Sequence, residues 1–325
     1  MHAFFALTVG TVLTSIMRPA IVLCVLAACY HDPAPVAGPP ARAPRANAAA
    51  HDPLGYLPID SELVLSFDAN QLLASGLWKL LEPVVSAKAG DALAKFQRLC
   101  GVDPLRSARQ IALGLKGLGD PLGPSGVVVV RGLDRSAMMA CMDRLVGAAP
   151  RVTIANGVVA VKAVPGEHPA AFTFANASTL VSVLGPTASP EALAAVIRSG
   201  APLRGSPAFV ELLGQIQTQR TAWFVLNGSS EVFDKLASLG FRTKAATGWL
   251  DLANEFSGTL RIQLDSEDRA RNLVGLTLAQ LGPAQPLVEE VELTSEGADV
   301  VLRVAMSYGQ LEEAVWIFGA FTAGP

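Results

Sequence analysis

The chain has 325 residues, of which 51% are hydrophobic and 16% charged, so it can bury a sizeable core and is not a disordered polymer. Its net charge of −3 is small and its Lys and Arg are scattered, which argues against nucleic acid as a partner. Aromatics make up 6%, so the expected core is built from small aliphatic side chains.

Residues 21–28 read IVLCVLAA, with Arg18 and Pro19 ahead of them and Cys29 directly after. A basic residue, a short apolar run, small residues and a cleavage point make up a secretory signal. A second apolar stretch, FFALTVGTVLTSI, precedes Arg18. It leaves two alternatives: a true start between residues 9 and 17, or one uncleaved anchor over residues 3–29. The charge and proline in its middle count against the anchor. The ending Leu26-Ala27-Ala28-Cys29 resembles the lipobox of bacterial lipoproteins. That resemblance implies an export signal over residues 1–28, cleavage between Ala28 and Cys29, and a diacylglycerol on the Cys29 thiol. A thiol is the nucleophile that takes a lipid as a thioether. Cleavage followed by release is the remaining alternative. Residues 29–53 then form a lipidated cysteine and a Pro/Ala-rich tether, too poor in large apolar residues to pack and inclined to extended, semi-stiff conformations.

The body begins near Leu54. ELVLSFD predicts a strand ending at Asp68, which caps a helix over NQLLASGLWKLLEPVV that Pro83 kinks; SAKAGDALAKFQRLC predicts a second helix closed by Gly101. RQIALGL and GVVVVRGL predict strands, and Asp134 caps RSAMMACMDRLVG. Asn156-Gly157 inside VTIANGVVAVKAV is the strongest short hairpin signal in the chain. AAFTFA and TLVSVLG predict strands, followed by a helix opened by Ser189 and Pro190. The second half continues with a helix from Ser206-Pro207, strand TAWFVLN, helix SSEVFDKLAS ended by Gly240, and strands TGWLDLAN and SGTLRIQLD. Asp265 is read as the cap of SEDRARNLVGLTLAQLG, Glu296-Gly297 as a hairpin turn, and SYGQLEEAVWIFG as a closing helix.

GVVVVRGLDRSAMMACMDRLVG and GTLRIQLDSEDRARNLVGLTLAQLG share a strand, a Leu-Asp step and a helix, each followed by a hairpin. Upstream, LVLSFDANQLLAS corresponds to WFVLNGSSEVFDKL, and order is preserved across the matches. The predicted architecture is therefore α+β, with two similar units of largely antiparallel sheet, residues 54–200 and 201–325, and helices packed on one face. Either one continuous sheet or two facing domains is compatible with this pattern. The overall pattern resembles uncharacterised duplicated α+β envelope lipoproteins of the myxobacterial type, which implies a location and no activity.

Chemistry is sparse. Three of the four histidines precede the body, leaving His168 in the turn-like PGEHPA, so His-based triads and zinc sites are disfavoured. P-loop, strand-linked GxGxxG and nucleophile-elbow patterns are absent. The acidic groups Asp265/Glu267/Asp268, Glu289/Glu290/Glu292 and Glu312/Glu313 are read as a helix start and two solvated faces, not as metal sites. Once the signal is removed and Cys29 lipidated, Cys100 and Cys141 remain. An exported setting predicts a disulfide between them; two buried free thiols are the alternative. The expected function is a lipid-anchored cell-envelope binding or scaffold protein without catalytic activity or cofactor. Its expected partners are the membrane, through the lipid, and an envelope protein. A carrier of a lipid or other apolar ligand is the alternative, and an enzyme of unidentified type comes third.

Overall fold

The computed structural model describes residues 52–310, apart from 147–150, 164–167, 199–202, 229, 239, 254 and 282–289. Ala28, Cys29, most of the tether and all but the first residues of the closing helix therefore lie outside the described residues.

A short 3-10 turn, Pro53–Tyr56, leads into β1 (Leu63–Asp68), α1 (Ala69–Ala74) and α2 (Gly76–Cys100). After α3 (Pro104–Ser107) come β2 (Gln110–Lys116), β3 (Ser125–Arg131) and α4 (Arg135–Val146). A meander follows: β4 (Val152–Ala155), β5 (Val158–Val161), β6 (Ala170–Phe174) and β7 (Thr179–Leu184). α5 (Pro190–Arg198) and α6 (Pro207–Gly214) lead to β8 (Ala222–Asn227) and α7 (Asp234–Ser238). The chain then forms β9 (Thr243–Asp251), β10 (Phe256–Leu264), α8 (Glu267–Leu281), β11 (Glu290–Glu296) and β12 (Asp299–Met306).

The strands make one twelve-stranded sheet in the order β11-β12-β10-β9-β8-β1-β2-β3-β7-β6-β5-β4, with every pairing antiparallel. The α+β class and antiparallel sheet are as the sequence predicts. Of the two arrangements left open, the structure shows the continuous sheet: β1 pairs with β8 across Leu65↔Phe224 at its centre. From that seam the order runs outward as β1-β2-β3-β7 on one side and β8-β9-β10-β12 on the other. A helix leaves β3 on one side and β10 on the other, and each chain segment returns to pair with the strand it left.

Helices cover both faces of the first half, where the sequence reading placed them on one. On the first face Leu113, Leu115, Val128 and Phe172 pack against Phe96 and Cys100 of α2 and Met138, Cys141 and Met142 of α4. On the second, Val64, Val127, Val129 and Val181 pack against Leu193 of α5 and Phe209 of α6. β7 is buried at all six positions, so it needs a layer on each side. In the second half Ile262, Val300 and Leu293 pack under Ala270, Leu273 and Val274 of α8. The opposite side there is polar: Arg261 bonds Asp299 and Glu296 at 2.6 Å each, and Arg303 bonds Glu292 at 3.1 Å.

Local signals set most boundaries, with two shifts. Asn156 (φ 52°) and Gly157 (φ 75°) form the predicted hairpin turn, both in the left-handed region. The break between helices expected after Val85 falls instead at Ser75, whose Oγ accepts from the Trp78 N–H and donates to the Leu72 carbonyl. Pro83 is carried inside α2. Gly76 is fixed by packing, because the Tyr308 ring lies where a Cβ would stand. Asp265 does not cap α8: Ser266 accepts from the Arg269 N–H, and Asp265 forms an ion pair with Arg269.

Cys100 and Cys141 form a disulfide with Cα atoms 4.9 Å apart, joining the end of α2 to α4. Both lie in the first-face core.

Candidate functional site

At the end of the sheet where β1 stops and β2 begins, a half-open cleft of about 410 Å³ lies on the second face. Its wall is formed by Ser66 and Asp68 of β1, Arg109 and Gln110 at the start of β2, Arg131 at the end of β3, and Arg220 before β8. Trp223, buried, contributes an apolar surface. Three arginines and one aspartate thus line one opening, in a chain whose basic residues are otherwise dispersed.

Strand register assembles this set. Gln110 stands opposite both Asp68 and Arg131, and Ser66 opposite Trp223. These positions continue, at period two, the side of the sheet carrying Val64, Ala112, Val129 and Val225, so the cleft is the polar end of a buried apolar face. Arg131 donates to Gln110 Oε1 at 3.1 Å, and Gln110 Nε2 donates to Ser66 Oγ at 3.3 Å, a chain that orients the guanidinium. The Arg109 N–H donates to the Arg131 carbonyl at 2.7 Å, which ties the start of β2 to the end of β3. Beside them, Gly132 has φ 106°, and a Cβ there would lie 2.9 Å from the Arg109 nitrogen. Only glycine lets the two strand ends approach this closely.

The three arginines differ in their compensation. Arg220 forms an ion pair with Asp251, donates to Gln217 Oε1 at 2.7 Å, and stacks 4.9 Å from the Trp249 ring centroid. It is a fixed, neutralised wall. Among the described residues neither Arg109 nor Arg131 has a carboxylate at ion-pair distance. Asp68 faces the cleft with Oδ1 accepting from the Gln71 N–H at 2.9 Å, capping α1. An anion entering the cleft therefore meets two arginines of its lining that are not held in ion pairs, and guanidinium N–H donors suit such a ligand.

The residues singled out from sequence lie elsewhere. Ala28 and Cys29 are outside the described residues. The Cys100–Cys141 disulfide is on the opposite face of the sheet. His168 is exposed in the loop before β6, near Gly123 and so at the other end of the sheet. Asp265, Glu267 and Asp268 pair with Arg269 and Arg271 of their own helix, and Glu292 pairs with Arg303. Glu312 and Glu313 are outside the described residues. Among the described residues no cluster of three His, Cys, Asp or Glu is arranged to hold a metal, and no helix is long and apolar enough to cross a membrane. Sequence reasoning missed Arg109, Arg131 and Arg220. The available signal was in the two strands: RQIALGL begins with Arg109 and GVVVVRGL carries Arg131 near its end, so antiparallel pairing brings these two chain positions to the same end of the sheet.

No family model matches the chain, and no curated protein matches it. Among solved structures the chain is similar to crystal form III of TP0453, at 12% identity over 82% of this chain and 99% of that one, with a TM-score of 0.49. It is also similar to crystal form I of TP0453, at 14% identity over 82% and 98%, with a TM-score of 0.41.

Proposed function

We propose that the chain is a lipid-anchored cell-envelope protein, attached through Cys29, whose body binds a ligand or partner outside the cytoplasm and catalyses no reaction. The observation that carries this reading is the cleft. Its polar groups are cations, amides and hydroxyls held by backbone pairing, with one carboxylate already engaged as a helix cap. Such a set recognises charge and shape. The disulfide supports an oxidising compartment, where such bonds persist. The lipobox-like ending Leu26-Ala27-Ala28-Cys29 and the Pro-rich tether supply an anchor and reach.

Metabolic labelling with palmitate, together with crosslinking in intact envelopes, tests the reading. The wild-type chain is expected to take up label and to crosslink to an envelope component, whereas Cys29→Ser loses the label and fractionates away from membranes. Equal labelling of the Cys29→Ser variant would remove the lipid anchor from the proposal, and failure of the wild-type chain to crosslink would remove the binding role.

A further inference from the structure

We propose that the cleft between β1, β2, β3 and β8 is a phosphate-binding site, with Arg109 and Arg131 as its ligand-contacting cations. The inference names the ligand chemistry of the site on which the binding role rests. Arg109 and Arg131 both line the cleft, the Arg109 N–H donates to the Arg131 carbonyl at 2.7 Å, and among the described residues neither has a carboxylate at ion-pair distance. Guanidinium groups present forked donors that match phosphate oxygens. Arg131 is already oriented by Gln110 and Ser66, so less freedom is lost when an anion arrives. Ser178 adds a polar residue to the same wall, and Trp223 an apolar surface.

The arrangement also says what the cleft disfavours. Cations meet three arginines against one capped acid. An apolar chain meets a wall of guanidinium and amide groups whose desolvation is costly without a charged partner. A volume of about 410 Å³ exceeds a bare phosphate, so the phosphate is one end of a larger ligand. Two sources share that chemistry: a soluble phosphorylated compound and a phospholipid headgroup.

The test is calorimetric titration of the full chain with inorganic phosphate and, separately, with dihexanoyl phosphatidic acid below its micelle concentration. Saturable binding of either probe is expected, weakened about tenfold or more by Arg109→Gln and by Arg131→Gln. Arg271→Gln, on the exposed side of α8, is expected to leave binding unchanged. Arg109→Gln alters an exposed side chain and keeps the backbone pairing, so it separates loss of charge from loss of fold. Comparable affinity for both probes marks a soluble phosphorylated ligand; markedly tighter binding of the lipid probe marks a headgroup. Absence of saturable binding to both probes overturns the proposal, as does binding weakened equally by Arg271→Gln or by neither cleft variant. Envelope crosslinking does not depend on phosphate. A chain that crosslinks but ignores both probes therefore refutes the phosphate site and leaves the binding role standing.

Discussion

Asp134 shows how one side chain places an element. Its Oδ1 accepts from the Ser136 hydroxyl at 2.6 Å and the Ala137 N–H at 2.8 Å, closing the start of α4. The Ser136 bond, then the Ala137 bond, hold its carboxyl below the ordinary 3.8. Asp134→Ala is expected to lower unfolding free energy by about 1 kcal/mol, read from the urea midpoint. Two residues earlier, Gly132 has the opposite requirement: no side chain at all. Its φ of 106° and the nearness of Arg109 make Gly132→Ala a backbone strain as well as a clash. The substitution is expected to cost roughly 2 kcal/mol or more and to displace Arg109, seen as a lower melting temperature together with weakened anion binding.

Among the elements, α2 departs most from its local signals. Proline removes a helical hydrogen bond and ordinarily kinks or ends the helix, yet Pro83 lies within Gly76–Cys100. Capping by Ser75 and packing of Tyr308 over Gly76 set the start of α2. At its far end the disulfide ties Cys100 to α4, closing a loop across a sequence separation of 41. On chain-entropy grounds that bridge contributes about 4 kcal/mol. Reduction, or the double substitution Cys100→Ser and Cys141→Ser, is expected to move the urea midpoint down accordingly. Alkylation of the denatured, unreduced protein is expected to leave both cysteines unmodified; labelling of either would show the bridge does not form. The cysteine count and the export expected from the N-terminal segment make this pairing legible, because only two cysteines remain for the body.

For the whole molecule, the β1–β8 pairing joins the two halves into one sheet. Its acid sensitivity follows from the polar side of the second half. Glu296 is held below its ordinary 4.5, first by its bond to Arg303 and then by that to Arg261. A lowered carboxyl contributes stability that is fully present above the unfolded value and is lost as pH falls through the folded one. Stability is therefore expected to decline as pH drops below about 4.5, with Asp134 adding to the decline from 3.8 downward. Because the Glu296 side chain is 39% exposed, solvent screening keeps its share below about 1 kcal/mol. Urea midpoints followed from neutral pH into that range check this, and Glu296→Gln is expected to flatten the dependence.

By itself the sequence determined what depends on neighbours along the chain. The Asn156-Gly157 turn, the caps at Asp68, Asp134 and Ser206, the repeated strand-to-helix grammar and the α+β class all rest on local backbone preference and period. The second helical layer is foreshadowed by continuous apolar runs such as GVVVV and TLVSVL, which bury both sides of a strand. Only the tertiary structure decided that β1 joins β8 into one sheet and that Ser66, Gln110, Arg131 and Arg220 meet at its end. Those residues are distant in sequence, and none is distinctive in its own segment. Strand register, set by burial of apolar faces on both sides, brings Ser66, Gln110 and Arg131 to one end of the sheet.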